Sequence, residues 1–234
     1  MTSEITRRAA LGFAGATSLT LLAACGSGTA INGSSSESSS AAKKDYKGEV
    51  KLEEYDTSAG TFEPATRDTP PKNVPKPIKP KNADEDSVAG LYSSIAFLGA
   101  AITYALLTGE VGPVNESALN EENRENFTSG LTLDKIREGK YWEAEPKAVF
   151  FLETSEPTKE GDEYIWPHKL ESRHGAFRVD VKETSTERSV EVSTIPTNRQ
   201  VHRGGGKIKA KYFYSGWDIA FEFDGASSSA SPSS

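Results

Sequence analysis

Residues 88–109 read VAGLYSSIAFLGAAITYALLTG. Val88, Leu91, Tyr92, Ile95, Leu98, Ile102 and Leu106 recur at three- and four-residue spacing, which predicts one long helix with an apolar stripe. Phe97, Tyr104 and Leu107 widen the stripe, and Ala96, Ala100, Ala101 and Ala105 lie between, so the helix is expected to be covered on most sides. Asn82 or Asp84 is the expected N-cap, and Gly109 the left-handed stop. No residue in 88–107 is charged, so a membrane-spanning reading stands beside the core-helix reading. Downstream the period changes from 3.6 to 2. Residues 147–154, 163–166, 176–183, 188–194, 208–214 and 217–223 read as strands, the last two joined at Ser215-Gly216. Short helices are expected over 115–126 and 133–138. Helices first and antiparallel strands after predict an α+β module.

The flanks differ in composition. Residues 26–42 (GSGTAINGSSSESSSAA) and 226–234 (ASSSASPSS) offer little to bury and are expected to be disordered. Residues 66–81 (TRDTPPKNVPKPIKPK) carry Pro70, Pro71, Pro75, Pro77 and Pro80. They predict an extended polyproline spacer, or a docking ligand for an aromatic groove. One foldable domain is therefore expected over 83–225. The net charge of -7 and pI near 5.2 argue against broad nucleic-acid binding, which needs phosphate neutralisation. With a single cysteine, Cys25, an internal disulfide and a cysteine-based zinc cluster are excluded.

The N-terminus reads as an address. Arg7-Arg8 is followed by an uncharged run, Ala9 to Leu22, which ends in Leu22-Ala23-Ala24-Cys25. This resembles a bacterial lipoprotein signal. The resemblance implies a signal peptide over 1–24 and a diacylglycerol on Cys25, which becomes the new N-terminus. A lipidated, Pro-rich tether over 25–82 would follow. The product would be held at the outer face of the cell membrane. The bland alternative is one buried structural cysteine. Arg7 and Arg8 also resemble a twin-arginine export signal, with Ala9-Ala10-Leu11 in place of its bulky apolar pair, so general secretory export remains the alternative.

Tyr104-Ala105-Leu106-Leu107-Thr108-Gly109, the Pro-rich lead-in and Gly139-Lys140-Tyr141-Trp142 resemble a family of uncharacterised actinobacterial lipoproteins. Together with the element order they are similar to the NTF2-like cone. That resemblance implies a long helix on a curved antiparallel sheet and no transferable activity. The cysteine pair common after the first helix in that family is absent here.

Catalytic signals are sparse, and no catalytic residue, metal site or cofactor is expected. His168, Glu171 and His174 could in principle ligate zinc, but their spacing fits no helix or tight-loop pattern, and surface histidines explain them. Asp180, Asp218 and His174 could meet as acid–base groups in a cone pocket, the basis of an isomerase- or hydrolase-like alternative. Gly204-Gly205-Gly206 with Lys207, Lys209 and Lys211 reads as a hairpin tip beside a lysine-faced edge strand. The tip over 199–211 could also meet an anionic envelope polymer or lipid headgroups. Residues 82–163 hold 17 acidic and 6 basic groups, yet Asn115, Glu116, Glu121 and Glu122 lack a calcium-loop pattern. Tyr141, Trp142, Trp166, Tyr212, Tyr214 and Trp217 are the candidate ligand-binding set, as the lining of a cone mouth, with core packing as the alternative. The expected function is thus a non-catalytic, membrane-anchored module. Its partner is expected to be an envelope protein or an apolar small molecule, with no nucleic acid.

Overall fold

The computed structural model describes residues 44–129, 131–183 and 186–224. Cys25, Arg7, Arg8, the 1–24 signal and the 226–234 tail lie outside the described residues. In chain order come β1 (Gly48–Glu49), β2 (Tyr55–Asp56), β3 (Lys76–Pro77), α1 (Val88–Thr108), α2 (Gly112–Asn115), α3 (Glu121–Thr128), α4 (Leu131–Arg137), β4 (Tyr141–Glu143) and β5 (Lys147–Leu152). Then follow β6 (Thr158–Glu160), β7 (Glu163–Arg173), β8 (Phe177–Glu183), β9 (Arg188–Thr194), β10 (Val201–Phe213) and β11 (Gly216–Phe223).

The α+β class holds, but the NTF2-like cone does not. The strands form three separate sheets, and none is closed or strongly curled. The main sheet runs β1-β5-β7-β10-β11 with β6 also on β7; β4-β8-β9 and β2-β3 stand apart. A cone needs one continuous curved sheet. Here β8 and β9 pair with β4 instead of extending the main sheet, which leaves no single concave surface.

Helix α1 lies on one face of the main sheet. Leu91, Ile95, Leu98, Ala101 and Ala105 meet Phe150, Trp166, Ile208 and Ile219, all essentially without exposed surface. Burying each large side chain contributes roughly 1.5–3 kcal/mol. The helix starts one residue after Ser87, not at Asn82 or Asp84. Ser87 Oγ accepts the Gly90 amide at 3.0 Å. The N-terminus is tightly seated: a Cβ on Gly90 would stand 2.2 Å from the Glu85 carbonyl oxygen. Gly109 closes the helix at φ 75°, its amide on the Ala105 carbonyl. The helix is long and apolar enough to cross a membrane, yet 56% of its most apolar window is buried inside the protein, as in any core helix.

Two strands are longer than the sequence suggested. Strand β7 runs 11 residues, past the expected 163–166 and through Pro167 and His168 to Arg173. Pro167 falls between the residues that pair with β6 (Glu163 to Ile165) and those that pair with β5 (His168 to Arg173), so its missing N–H breaks neither ladder. Strand β10 runs 13 residues and contains the glycine triplet, which is therefore not a hairpin tip. Gly206 is required there, because a Cβ would meet the Glu222 carbonyl oxygen at 2.0 Å.

Residues 44–82 are not a spacer beside the domain but a strap folded onto it. β1 pairs with β5, and the Val50 amide bonds the Phe150 carbonyl at 2.8 Å. The Tyr46 ring lies tilted against that of Tyr92, 4.8 Å between centroids, and Pro77 is buried. Its prolines hold extended backbone with few donors to satisfy, so short pairings, β1 with β5 and β2 with β3, are enough to hold the strap on apolar surface.

Candidate ligand cleft along the first helix

Between α1 and the strap lies a cleft of about 470 Å³. That size falls within the ~300–1,000 Å³ usual for small-molecule sites. Its floor is one face of α1, where Ile95, Ala96, Gly99, Ala100, Thr103 and Leu107 follow at helical spacing. Small residues make the floor low: a Cβ on Gly99 would come within 3.1 Å of the Phe150 ring. Val50, Leu52, Tyr55, Phe62, Val74 and Pro75 of the strap form the roof. Glu49, Lys51, Glu145 and Lys147 supply the only charges among the lining residues, two of each sign.

The polar atoms within are already engaged or neutral. Thr103 Oγ1 donates to the Gly99 carbonyl at 2.9 Å and accepts the Ala148 amide at 3.1 Å. Burial raises the Tyr55 phenol above its ordinary pKa, and burial and then the nearby Glu110 raise Tyr104, so both stay neutral at physiological pH. A second depression of about 430 Å³ shares Lys51, Leu52 and Ala96 with the first and continues to Ala89, Tyr92 and Tyr46. The two lie head to tail from Ala89 to Leu107, a run of roughly 27 Å at ~1.5 Å per helical residue.

The expected aromatic mouth is dispersed. Trp166, Trp217 and Trp142 are buried, and each indole N–H donates to a carbonyl: Thr154 at 3.0 Å, Glu85 at 3.0 Å and Thr66 at 2.7 Å. Tyr212 donates to the Asp84 carbonyl at 2.9 Å and stands edge-on to Trp217. The donors of Trp142, Trp217 and Tyr212 staple the strap and the lead-in of α1 to the sheets, and that of Trp166 fixes the β5–β6 connection. Tyr141 donates to Glu143 on the second sheet, and Tyr214 is fully exposed at the β10–β11 turn. Of the six, the rings of Trp217 and Tyr212 meet, and none of the six lines either depression.

The acid–base set differs as well. His174 pairs through Nδ1 with Glu143 Oε2 at 2.6 Å, not with Asp180 or Asp218. Its Nε2 stands 3.4 Å from Ser172 Oγ. The serine is held in strand pairing between Ala148 and His202, one residue from the end of β7, without the turn that exposes a nucleophile and its oxyanion donors. The arrangement joins the main sheet to β4. Asp180 instead faces Lys135 at 3.5 Å, and Asp218 is exposed on β11. Glu171 is held below its ordinary pKa, first by its bond from Arg203 and then by Arg173. Among the described residues no group of three His, Cys, Asp or Glu is placed to hold a metal.

The cleft residues were missed because their partner wall had been assigned to the tether. The run of small residues on α1 was the available signal. No curated protein and no solved structure matches the chain. A family model does match over residues 60–221, from within the strap to β11, and on that match the chain belongs to DUF6318, a family of unknown function.

Proposed function

We propose that the chain is an extracytoplasmic lipoprotein, anchored through Cys25, whose folded body binds an apolar, chain-like small molecule between α1 and the strap without catalysis. The carrying observation is the cleft itself. Its walls are aliphatic and aromatic, and its charges are confined to Glu49, Lys51, Glu145 and Lys147. The lining is mostly apolar and its four charged residues balance in sign, so an apolar ligand loses little on entry, whereas a ligand with net charge pays desolvation without a matching counter-charge. The elongated floor favours a narrow chain over a compact ring system. The test is titration of the full chain with an uncharged probe, a fluorescent long-chain alcohol. Saturable binding is expected, and Ala100→Phe, which fills the floor at a half-buried position, should weaken it by about tenfold or more, roughly 1.4 kcal/mol. A folded wild-type chain that does not bind the probe, or an Ala100→Phe variant that binds it unchanged, would count against this reading.

A further inference from the structure

Among the described residues, strand β9 is the terminal strand of the second sheet and pairs on one side only, with β8. Such an edge presents unpaired backbone donors and acceptors to any strand that can reach it. Its apolar residues are also uncovered: Val190 is 53% exposed and Val192 39%. Both sit in register with buried residues, Val190 opposite Val181 and Val192 opposite Val179. The valine rows of β8 therefore continue onto β9 and stop at open solvent.

The sequence of this edge identifies what fits it. Residues 189–193 read Ser-Val-Glu-Val-Ser, the same in both directions about Glu191. An antiparallel strand of the same sequence, related by a two-fold axis through Glu191, would place Val190 against the partner's Val192. It would also place Ser189 against the partner's Ser193, with every side chain on its proper face. The like charges at the axis are answered locally, since Lys182 Nζ lies 2.7 Å from Glu191 Oε2. We propose that β9 is a homotypic strand-addition surface, joining two copies of this chain into a continuous six-stranded sheet through Ser189 to Ser193. This does not rest on the ligand cleft, which lies on the other sheet. One strand pair buries well below the ~1,200–2,000 Å² of a standard interface, so the dimer should be concentration-dependent. Confinement of copies to a membrane surface would favour it.

The test uses the full chain carrying Cys25→Ser, so that no native thiol contributes. Under mild oxidation Glu191→Cys should give a disulfide-linked dimer. Ser189→Cys and Ser193→Cys should each stay monomeric alone and cross-link when mixed. Sedimentation of the chain with β9 intact should show a monomer–dimer equilibrium. Val190→Lys should weaken it by roughly tenfold or more, because it brings two lysines beside the same axis. The proposal is overturned by a monomer at the highest soluble concentration. It is equally overturned if Ser189→Cys alone cross-links as readily as Glu191→Cys, which would signal random collision, or if a foreign peptide but no second copy occupies the edge.

Discussion

His168 sits without exposed surface against the rings of Phe150, Phe221 and Phe223, at centroid distances of 5.8, 5.5 and 6.0 Å. Burial lowers its pKa below the ordinary 6.5, and the Gly206 backbone only partly offsets this. The sign follows from linkage. The unfolded chain binds this proton more readily, so the native state loses stability as pH falls through the unfolded value toward the folded one. Thermal melts should therefore show a Tm that declines below about pH 6.5. His168→Leu should flatten that limb, and an unchanged limb in the variant would assign it to other groups. Gly90 makes a second residue-scale case, with the Glu85 carbonyl where a side chain would go. Gly90→Ala should cost about 1–3 kcal/mol by overpacking, measured by denaturant unfolding. The sequence read His168 as a surface histidine or a zinc-ligand candidate, and gave Gly90 no role, because the neighbours that bury the one and crowd the other are distant in the chain or outside the helix.

At the scale of elements, the strap carries the largest departure from expectation. Proline content is a property of local backbone and says only that the segment is extended. Whether extended backbone runs through solvent or over a helix depends on the surface available to it, and α1 offers such a surface at Tyr92 and Ala96. The bond from Trp142 to the Thr66 carbonyl, 76 residues away, ties the strap to the second sheet. Trp142→Phe keeps most of the buried ring and removes this donor. It should cost about 1 kcal/mol and speed protease cleavage near Arg67 without melting the sheets. Strands β8 and β9 were legible almost to the residue, because alternation over 177–183 and 188–194 is a local signal. Strands β7 and β10 were not, since a proline and three glycines interrupt that signal. The ladders of neighbouring strands hold them extended regardless.

For the whole molecule, two measurements bear on how the chain is organised. Limited proteolysis of the full chain should leave a stable fragment that begins near Lys44, because the strap is bonded to β5 and to Ser155. A limit fragment beginning near residue 83 would mean that the strap detaches readily. If the proposed anchoring through Cys25 is right, Cys25→Ala should shift the protein from the membrane fraction to the soluble fraction or leave it unprocessed, as cell fractionation and N-terminal peptide mass would show. The sequence by itself determined the helix over α1, its stop at Gly109, the alternating strands and the α+β class, because each follows from the chemistry of near neighbours. The resemblance of Leu22-Ala23-Ala24-Cys25 to a lipoprotein signal, on which the proposed anchoring rests, is likewise read from residues in a row. Tertiary structure decided the rest. It divided the strands into separate sheets, laid the proline-rich segment over α1, turned the tryptophans inward as staples and opened the cleft between two segments about forty residues apart. Those outcomes depend on which distant surfaces meet, and local periodicity carries no record of that choice.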